Sequence, residues 1–168
     1  MKDSMNSNLS AAVTSTERLL SSGATTTASL IAPRKIEFVI PGKVIGKGRP
    51  HFVKKTGVAI TPQQTRSYES LIRDVVLPLM AGQKLWEGCV KTRIVAHYKV
   101  PKSWSKKAKA LAMEMKIPPK KPDVDNVVKI VLDSLNRWLY YDDTQVCDCH
   151  IIKLWSEEDS LYVCMEEM

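Results

Sequence analysis

The sequence lacks any apolar run approaching the roughly 20 residues that a membrane-spanning helix needs. Its N-terminus also lacks the apolar core of a secretory signal peptide, because Glu17 and Arg18 interrupt the segment where that core would lie. The four cysteines do not follow the pairing pattern of a small secreted scaffold. These absences favour a protein without membrane spans that works in a reducing cytoplasm.

Acidic residues are scarce relative to basic ones. The chain has 18 Asp and Glu against 25 Lys and Arg, which gives a formal net charge of +7. Such an excess points to an anionic partner, with nucleic acid first and an anionic membrane surface second. A lysine-rich surface that merely keeps the protein soluble has the same excess of basic residues. Net charge alone therefore does not show that the protein has an anionic partner.

The first 33 residues differ in composition from the rest of the chain. Residues 1–33 are rich in Ser, Thr and Ala and contain few large apolar side chains. Such a segment cannot bury enough apolar surface to offset the entropy lost on ordering. We therefore predict a flexible tail at residues 1–33 and one folded domain at residues 34–168.

Apolar periodicity predicts the elements of that domain. In chain order they are a strand (35–40), a short hairpin, a helix from Thr61 to about Pro78, a strand (89–100), two helices (103–115 and 125–136) and two strands (146–155 and 161–165). Thr61 and Gln64 are expected to form a capping box, with Pro62 at the first helical position. The last two strands are expected to pair antiparallel across residues 156–160. This order predicts an α+β fold, a mixed sheet with helices packed on one face.

The most informative segment is Asp123–Lys129, where the third helix is predicted to start. In an extended approach, residues i and i+2 point the same way, so Asp123 and Asp125 can converge on one cation. Hard divalent cations such as Mg²⁺ bind carboxylate oxygens and keep waters for substrate contacts. Lys129 lies one turn beyond Asp125 on the same helix face, where a lysine can reach a scissile phosphate.

Helix capping offers a simpler explanation of part of this pattern. An aspartate before a helix often accepts hydrogen bonds from the first backbone amides. Asp125 and Lys129 can equally form an ordinary ion pair one turn apart. Capping explains one aspartate rather than two, and it does not explain the later run Tyr140–Asp143. From the residues alone, a metal site and a cap both remain open.

Four motif blocks, taken together, resemble the RusA-type Holliday junction resolvases, and especially their phage-borne members. The blocks are Gly46–Phe52, Ile60–Glu69, the D-x-D-N-x-x-K and D-x-L pattern within Asp123–Asn136, and the D-D-x-Q-V pattern at Asp142–Val146. The resemblance covers roughly residues 36–165. The chain departs from the family pattern in the loop after the helix, which lacks the usual glycine, and at His51, where an arginine is common.

The resemblance implies a homodimeric α+β nuclease of a bacterial or phage-infected cell. Such an enzyme binds branched DNA, above all four-way junctions, and cuts two strands symmetrically with Mg²⁺ or Mn²⁺ and no small-molecule cofactor. The resemblance makes three aspartates catalytic metal ligands, namely Asp123, Asp125 and Asp143. It makes Lys129 a catalytic contact to the scissile phosphate, leaves the role of Asp142 undefined, and suggests a structural role for Asp133.

Basic residues near these motifs are candidate contacts to the DNA backbone, namely Lys47, Arg49, Lys120 and Lys121. Lys120 and Lys121 stand almost directly before the aspartates, where they can guide a strand into the site. Trp104 is a candidate wedge between bases at a junction. A catalytically silent binder of branched DNA is the alternative from a different class. A fork or flap nuclease of the same chemistry is a second alternative.

Overall fold

The computed structural model describes residues 34–52, 54 and 57–168, so the predicted tail at residues 1–33 lies outside the described part. The elements are β1 (Lys35–Pro41), β2 (His51–Phe52), β3 (Ala59–Ile60), α1 (Gln63–Leu79), β4 (Val90–Lys99), α2 (Lys106–Met113), α3 (Val124–Leu135), β5 (Val146–Ser156) and β6 (Ser160–Glu167). A short 3₁₀ turn, Asp143–Gln145, precedes β5. The predicted order of elements is confirmed. Over the described ranges, no helix combines the length and apolar character that crossing a membrane requires.

Four strands form a mixed sheet in the order β1-β6-β4-β5. β4 is antiparallel to β6 and parallel to β5. The prediction that β5 and β6 pair with each other is therefore wrong, because β4 lies between them. β4 ends at Lys99, opposite Ser156, so the short connection from β5 to β6 passes the end of β4. Asp159 fixes this crossing, since its side chain accepts a hydrogen bond from the Lys99 amide at 2.8 Å.

The core lies between the sheet and the helices. Buried and more exposed residues alternate along β1 and β4, so each strand turns one face inward. Helices α1 and α3 cover that face with apolar side chains, which are Tyr68, Ile72, Val76, Val127, Ile130, Val131 and Leu135. The structure thus confirms an α+β fold built on a mixed sheet.

Helix α1 begins differently from the prediction. Pro62 occupies the N-cap position with extended backbone angles (φ −52°, ψ 140°), and no side chain of the described residues caps the helix. The predicted capping box of Thr61 and Gln64 is therefore wrong, because the helix starts one residue too late for Thr61 to reach its amides. The hydroxyl of Thr65 instead accepts a hydrogen bond from the Gly48 amide at 3.2 Å. The first turn of α1 is thus tied to the preceding loop.

Three tyrosines, Tyr68, Tyr98 and Tyr140, are buried in this core. Burial raises the pKa of Tyr68 from 10.0 to about 12, and burial together with nearby acidic groups raises the pKa values of Tyr98 and Tyr140. In the unfolded chain these phenols ionise first. Their contribution to stability is therefore complete below pH 10.0 and is lost as the pH rises toward about 12.

We expect the free energy of unfolding, measured by denaturant titration, to fall over this alkaline range. Tyr68→Phe removes one of the ionisable hydroxyls, so the decline in the variant is expected to be shallower. The same slope in the variant and the wild type would show that Tyr68 is not a source of the decline.

Candidate functional site

Asp123 and Asp125 both lie at the N-terminal end of α3. Asp123 occupies the N-cap position, with extended backbone angles (φ −70°, ψ 155°), but its side chain makes no capping hydrogen bond. Asp125 lies in the first helical turn. The ion pairs between described residues do not join Asp125 to Lys129. Neither the cap nor the ion pair therefore accounts for these carboxylates, whose oxygens remain available to a ligand.

Helix α3 directs its apolar side to the core and a polar strip to solvent. Its buried residues are Val127, Ile130, Val131, Ser134 and Leu135. Asp125 and Lys129, one turn apart, are both exposed. A carboxylate and an ammonium group thus lie one turn apart on the solvent-facing side of α3.

Asp143 is held at the start of the 3₁₀ turn by a capping box. The Asp142 side chain accepts a hydrogen bond from the Thr144 amide at 3.0 Å, and the Gln145 side-chain oxygen accepts from the Tyr141 and Asp142 amides at 2.8 and 3.0 Å. The bond from Thr144 is the largest of the influences that lower the pKa of Asp142. Asp142 and Gln145 therefore shape the backbone, while the Asp143 carboxylate is exposed.

The Gln145 side chain also ties this turn to the segment before β4. Its amide nitrogen donates hydrogen bonds to the carbonyls of Trp86 and Gly88, each at 3.0 Å. Trp86 is completely buried. The D-D-x-Q-V block is thus a connector anchored to the core, and Asp143 is its exposed acid at the start of the turn.

The structure places Asp123 and Asp125 at the N-terminal end of α3 and Asp143 in the 3₁₀ turn before β5. Burial is the largest influence that raises the pKa of Tyr140, and the charge of Asp143 is the second largest. The Tyr140 hydroxyl donates to the Leu132 carbonyl at 2.9 Å, near the C-terminal end of α3. Within the described ranges, no three Asp, Glu, His or Cys side chains lie close enough together to hold a metal ion.

The convergence of Asp123 and Asp125 was predicted from an extended backbone, and the structure differs at this point. The helix begins at Val124, so Asp125 already has helical geometry. Side chains repeat their direction every two residues in a strand but every 3.6 residues in a helix, and the chain changes from one to the other between the two aspartates. They share the helix end, but only Asp123 has the extended backbone on which that prediction rests.

The basic loop before β2 lies directly against the start of α3. The Lys47 amide donates to the Asn126 carbonyl at 2.8 Å. A Cβ added to Gly46 would lie 2.6 Å from the Pro122 Cβ and 3.0 Å from the Asn126 Cβ, so a larger residue would displace the segment leading into Asp123. Two motif blocks that are far apart in sequence are therefore in contact at the site.

The Lys47 side chain holds three parts of the domain together. Its Nζ lies 2.6 Å from carboxylate oxygens of both Glu69 on α1 and Asp133 on α3. Burial lowers the pKa of Lys47, but hydrogen bonds to Asp133 and Glu69 outweigh burial and raise it overall. The DNA contact predicted for Lys47 must therefore compete with two ion pairs, whereas Arg49, Lys120 and Lys121 are exposed.

Lys153 holds the segment that leads into Asp123, although none of the four motif blocks includes it. Its Nζ donates to the carbonyls of Pro122 at 2.7 Å and Lys120 at 3.4 Å. The same atom lies 5.5 Å from the centre of the Tyr98 ring. Burial lowers the pKa of Lys153, and the charge of Asp123 opposes that effect.

A signal for Lys153 was present in the strand pattern. On β5, Ile151, Lys153 and Trp155 alternate, and their partners on β4 include the buried residues Ile94 and Tyr98. A lysine at an inward-facing strand position needs a partner for its charge. That requirement marks Lys153 as a residue with a specific contact.

Comparison with known proteins identifies the family. The family described as "Endodeoxyribonuclease RusA" matches residues 41–166, a range that includes all four motif blocks. The chain is also similar to "Uncharacterized protein YqaN" of Bacillus subtilis (strain 168), at 31% identity over 138 residues that cover 79% of this chain and 96% of that protein. The chain belongs to the RusA endodeoxyribonuclease family.

Proposed function

We propose that the protein is a Mg²⁺-dependent, structure-selective endodeoxyribonuclease that resolves four-way DNA junctions by paired symmetric nicks. It acts as a homodimer in the cytoplasm, and Mn²⁺ can replace Mg²⁺. The observation that carries the proposal is the uncapped Asp123 beside the exposed Asp125 at the start of α3. In a family of endodeoxyribonucleases, two such carboxylates with Lys129 one turn away suit phosphodiester hydrolysis.

The donor chemistry of the site fits Mg²⁺. This ion is usually held by one or two carboxylates, and waters and substrate phosphates complete its coordination. Asp123 and Asp125 would supply the two carboxylates, whereas Asp143 is carried over from the family motif as a third ligand and would join them only in the complex with the ion and the DNA. When bound, the ion supplies a polarised phosphate oxygen and a water of lowered pKa.

The remaining residues hold and orient the DNA strand. The exposed Lys129 ammonium group donates to a phosphate oxygen and offsets negative charge that develops there. Lys120 and Lys121, exposed at the entrance to Asp123, contact the phosphate backbone, and Arg49 does so from the neighbouring loop. The products are a 5′ phosphate and a 3′ hydroxyl.

A panel of DNA substrates tests the selectivity. A four-way junction, a fork, a flap and a linear duplex of matched sequence are incubated with the protein in Mg²⁺, and initial cleavage rates are compared. We expect the junction to be cut fastest and the duplex slowest. Faster cutting of forks or flaps would replace the junction assignment with that of a fork or flap nuclease.

Lys153→Met is expected to slow cleavage without unfolding the domain. Met retains most of the apolar stem of the lysine but loses the hydrogen bonds that hold the carbonyls of Lys120 and Pro122. Small misplacements of catalytic groups cost on the order of a hundredfold in rate. Single-turnover cleavage rates measure the effect. The control is Lys91→Met, which removes the same charge at an exposed position; equal rates in the two variants would contradict a positioning role.

A further inference from the structure

A groove lies beside the segment that leads into Asp123. Its volume is about 680 Å³, within the range of pockets that enclose small organic groups. Three aromatic side chains line it, namely Tyr98, Trp104 and Trp155, and Lys120 and Lys121 border the same space. The proposed cleavage chemistry gives this groove no role.

The two tryptophans form a fixed aromatic wall. Their ring centres lie 5.2 Å apart with an interplanar angle of 62°, an edge-to-face contact. In such a pair, one ring keeps both faces uncovered by the other. The Trp155 indole nitrogen donates to the Ile117 carbonyl, and Ser105, next to Trp104, caps α2 by accepting from the Ala108 amide at 3.2 Å. The Trp155 ring is therefore held in place, and the Trp104 ring packs against it.

Tyr98 is the third aromatic residue of the groove lining. Its side chain is only 7% exposed, and within the described ranges its hydroxyl has no hydrogen-bond partner. Buried hydroxyls are usually paired because leaving one unpaired is costly. Because this hydroxyl is closed off from solvent, Tyr98 contributes to the groove as part of its aromatic wall rather than as a hydrogen-bonding group.

The charge around the groove favours an anionic ligand. Lys99, Lys120 and Lys121 lie at its border, and the one lining carboxylate, Asp159, already accepts a hydrogen bond from the Lys99 amide at 2.8 Å. Aromatic faces that stack bases, combined with lysines that follow a phosphate backbone, are the features that bind unpaired nucleic acid. Neutral ligands would leave the lysines unused.

We propose that this groove takes one unpaired nucleotide of the DNA substrate, with its base stacked on Trp104 and its phosphate held by Lys120 and Lys121. The inference rests on the proposed function, because it assumes the same DNA substrate. It supplies a reason for preferring branched to linear DNA, since a base at a branch point leaves the stack at lower cost than a paired base in a duplex.

The test measures DNA binding without divalent metal, so that cutting does not contribute. Each DNA carries a fluorescent adenine analogue, whose emission rises when the base leaves the stack. The analogue lies at the branch point of the four-way junction and at the centre of the linear duplex. Trp104→Ala removes the stacking surface, and Ala108→Phe fills the groove from α2 while keeping Trp104. The controls are Trp104→Phe, which keeps an aromatic face, and Trp138→Ala, which removes a 43% exposed tryptophan outside the groove.

We expect Trp104→Ala and Ala108→Phe each to weaken junction binding by about tenfold and to reduce the fluorescence rise, with duplex binding unchanged. Trp138→Ala is expected to bind the junction as the wild type does, and Trp104→Phe, which keeps a smaller aromatic face, is expected to bind it more tightly than Trp104→Ala does. If both groove variants are folded, as judged by an unchanged Tm, and bind the junction with wild-type affinity and fluorescence, the groove proposal is overturned even if the wild type cuts junctions. If the wild type cuts no DNA but Trp104→Ala still loses junction binding, the groove proposal stands and the cleavage proposal fails.

Discussion

Asp125→Asn is expected to abolish cleavage of a four-way junction while leaving junction binding intact. Asn has nearly the same shape as Asp but no charge, so it is a poor ligand for a hard cation. A metal contributes several kcal/mol of transition-state stabilisation in such reactions, which corresponds to a loss on the order of a thousandfold or more. Because Asp125 is exposed, the fold is expected to be unaffected. Single-turnover rates in Mg²⁺ and gel-shift affinities without metal measure the two effects separately.

The matched control is Asp74→Asn, which makes the same change at an exposed position of α1. It is expected to cut at the wild-type rate. If Asp125→Asn also cuts at that rate, Asp125 is not a catalytic residue and its position at the helix start is incidental.

Asp123→Ala separates the metal site from the helix cap. Loss of a capping side chain typically costs about 1 kcal/mol of stability. Since the Asp123 side chain makes no capping hydrogen bond, we expect the variant to lose cleavage but to keep the Tm of the wild type. A lower Tm with cleavage retained would restore the capping interpretation.

Lys47→Met is expected to produce the largest loss of stability among the basic residues near the site. The substitution leaves Glu69 and Asp133, both partly buried, without the cation that lies 2.6 Å from each. Breaking a fully buried ion pair costs several kcal/mol, so we expect about 2 kcal/mol at this partly buried site. That loss corresponds to a fall in Tm of several degrees for a domain of this size.

The control for Lys47→Met is Lys43→Met, in the same loop but exposed. Its Tm is expected to match the wild type. If both variants keep the wild-type Tm and Lys47→Met alone weakens the salt dependence of DNA binding, Lys47 contacts phosphate rather than joining the helices.

Strands and helices could be predicted because buried residues recur along each of them at a regular spacing. Alternating burial along β1 and a buried strip at helical spacing on α3 are local patterns, and the sequence shows them directly. The position of β4 between β5 and β6 could not be predicted in this way. A short connection between two strands is typical of a hairpin, but β4 pairs along its length with both β5 and β6, and these pairings join residues distant in the sequence.

At the candidate site, too, the local pattern could be predicted from the sequence and the tertiary contacts could not. The D-x-D-N-x-x-K pattern identified Asp123, Asp125 and Lys129 as a group, and the structure places them along one end of α3. The different surroundings of the lysines could not be predicted from the sequence. Lys47 and Lys153 are engaged with carboxylates or carbonyls, whereas Lys120 and Lys121 are exposed. Those partners are set by tertiary packing, which brings separate motif blocks together.

Cleavage of a synthetic four-way junction by the wild-type protein, with and without Mg²⁺, tests the central claim most directly. The cut sites are mapped on each strand, and the products are treated with DNA ligase. We expect paired symmetric nicks that require the metal and that ligase can reseal, because the ends are a 5′ phosphate and a 3′ hydroxyl. Tight junction binding without cutting in either Mg²⁺ or Mn²⁺ would contradict the proposal and identify the protein as a silent binder of branched DNA.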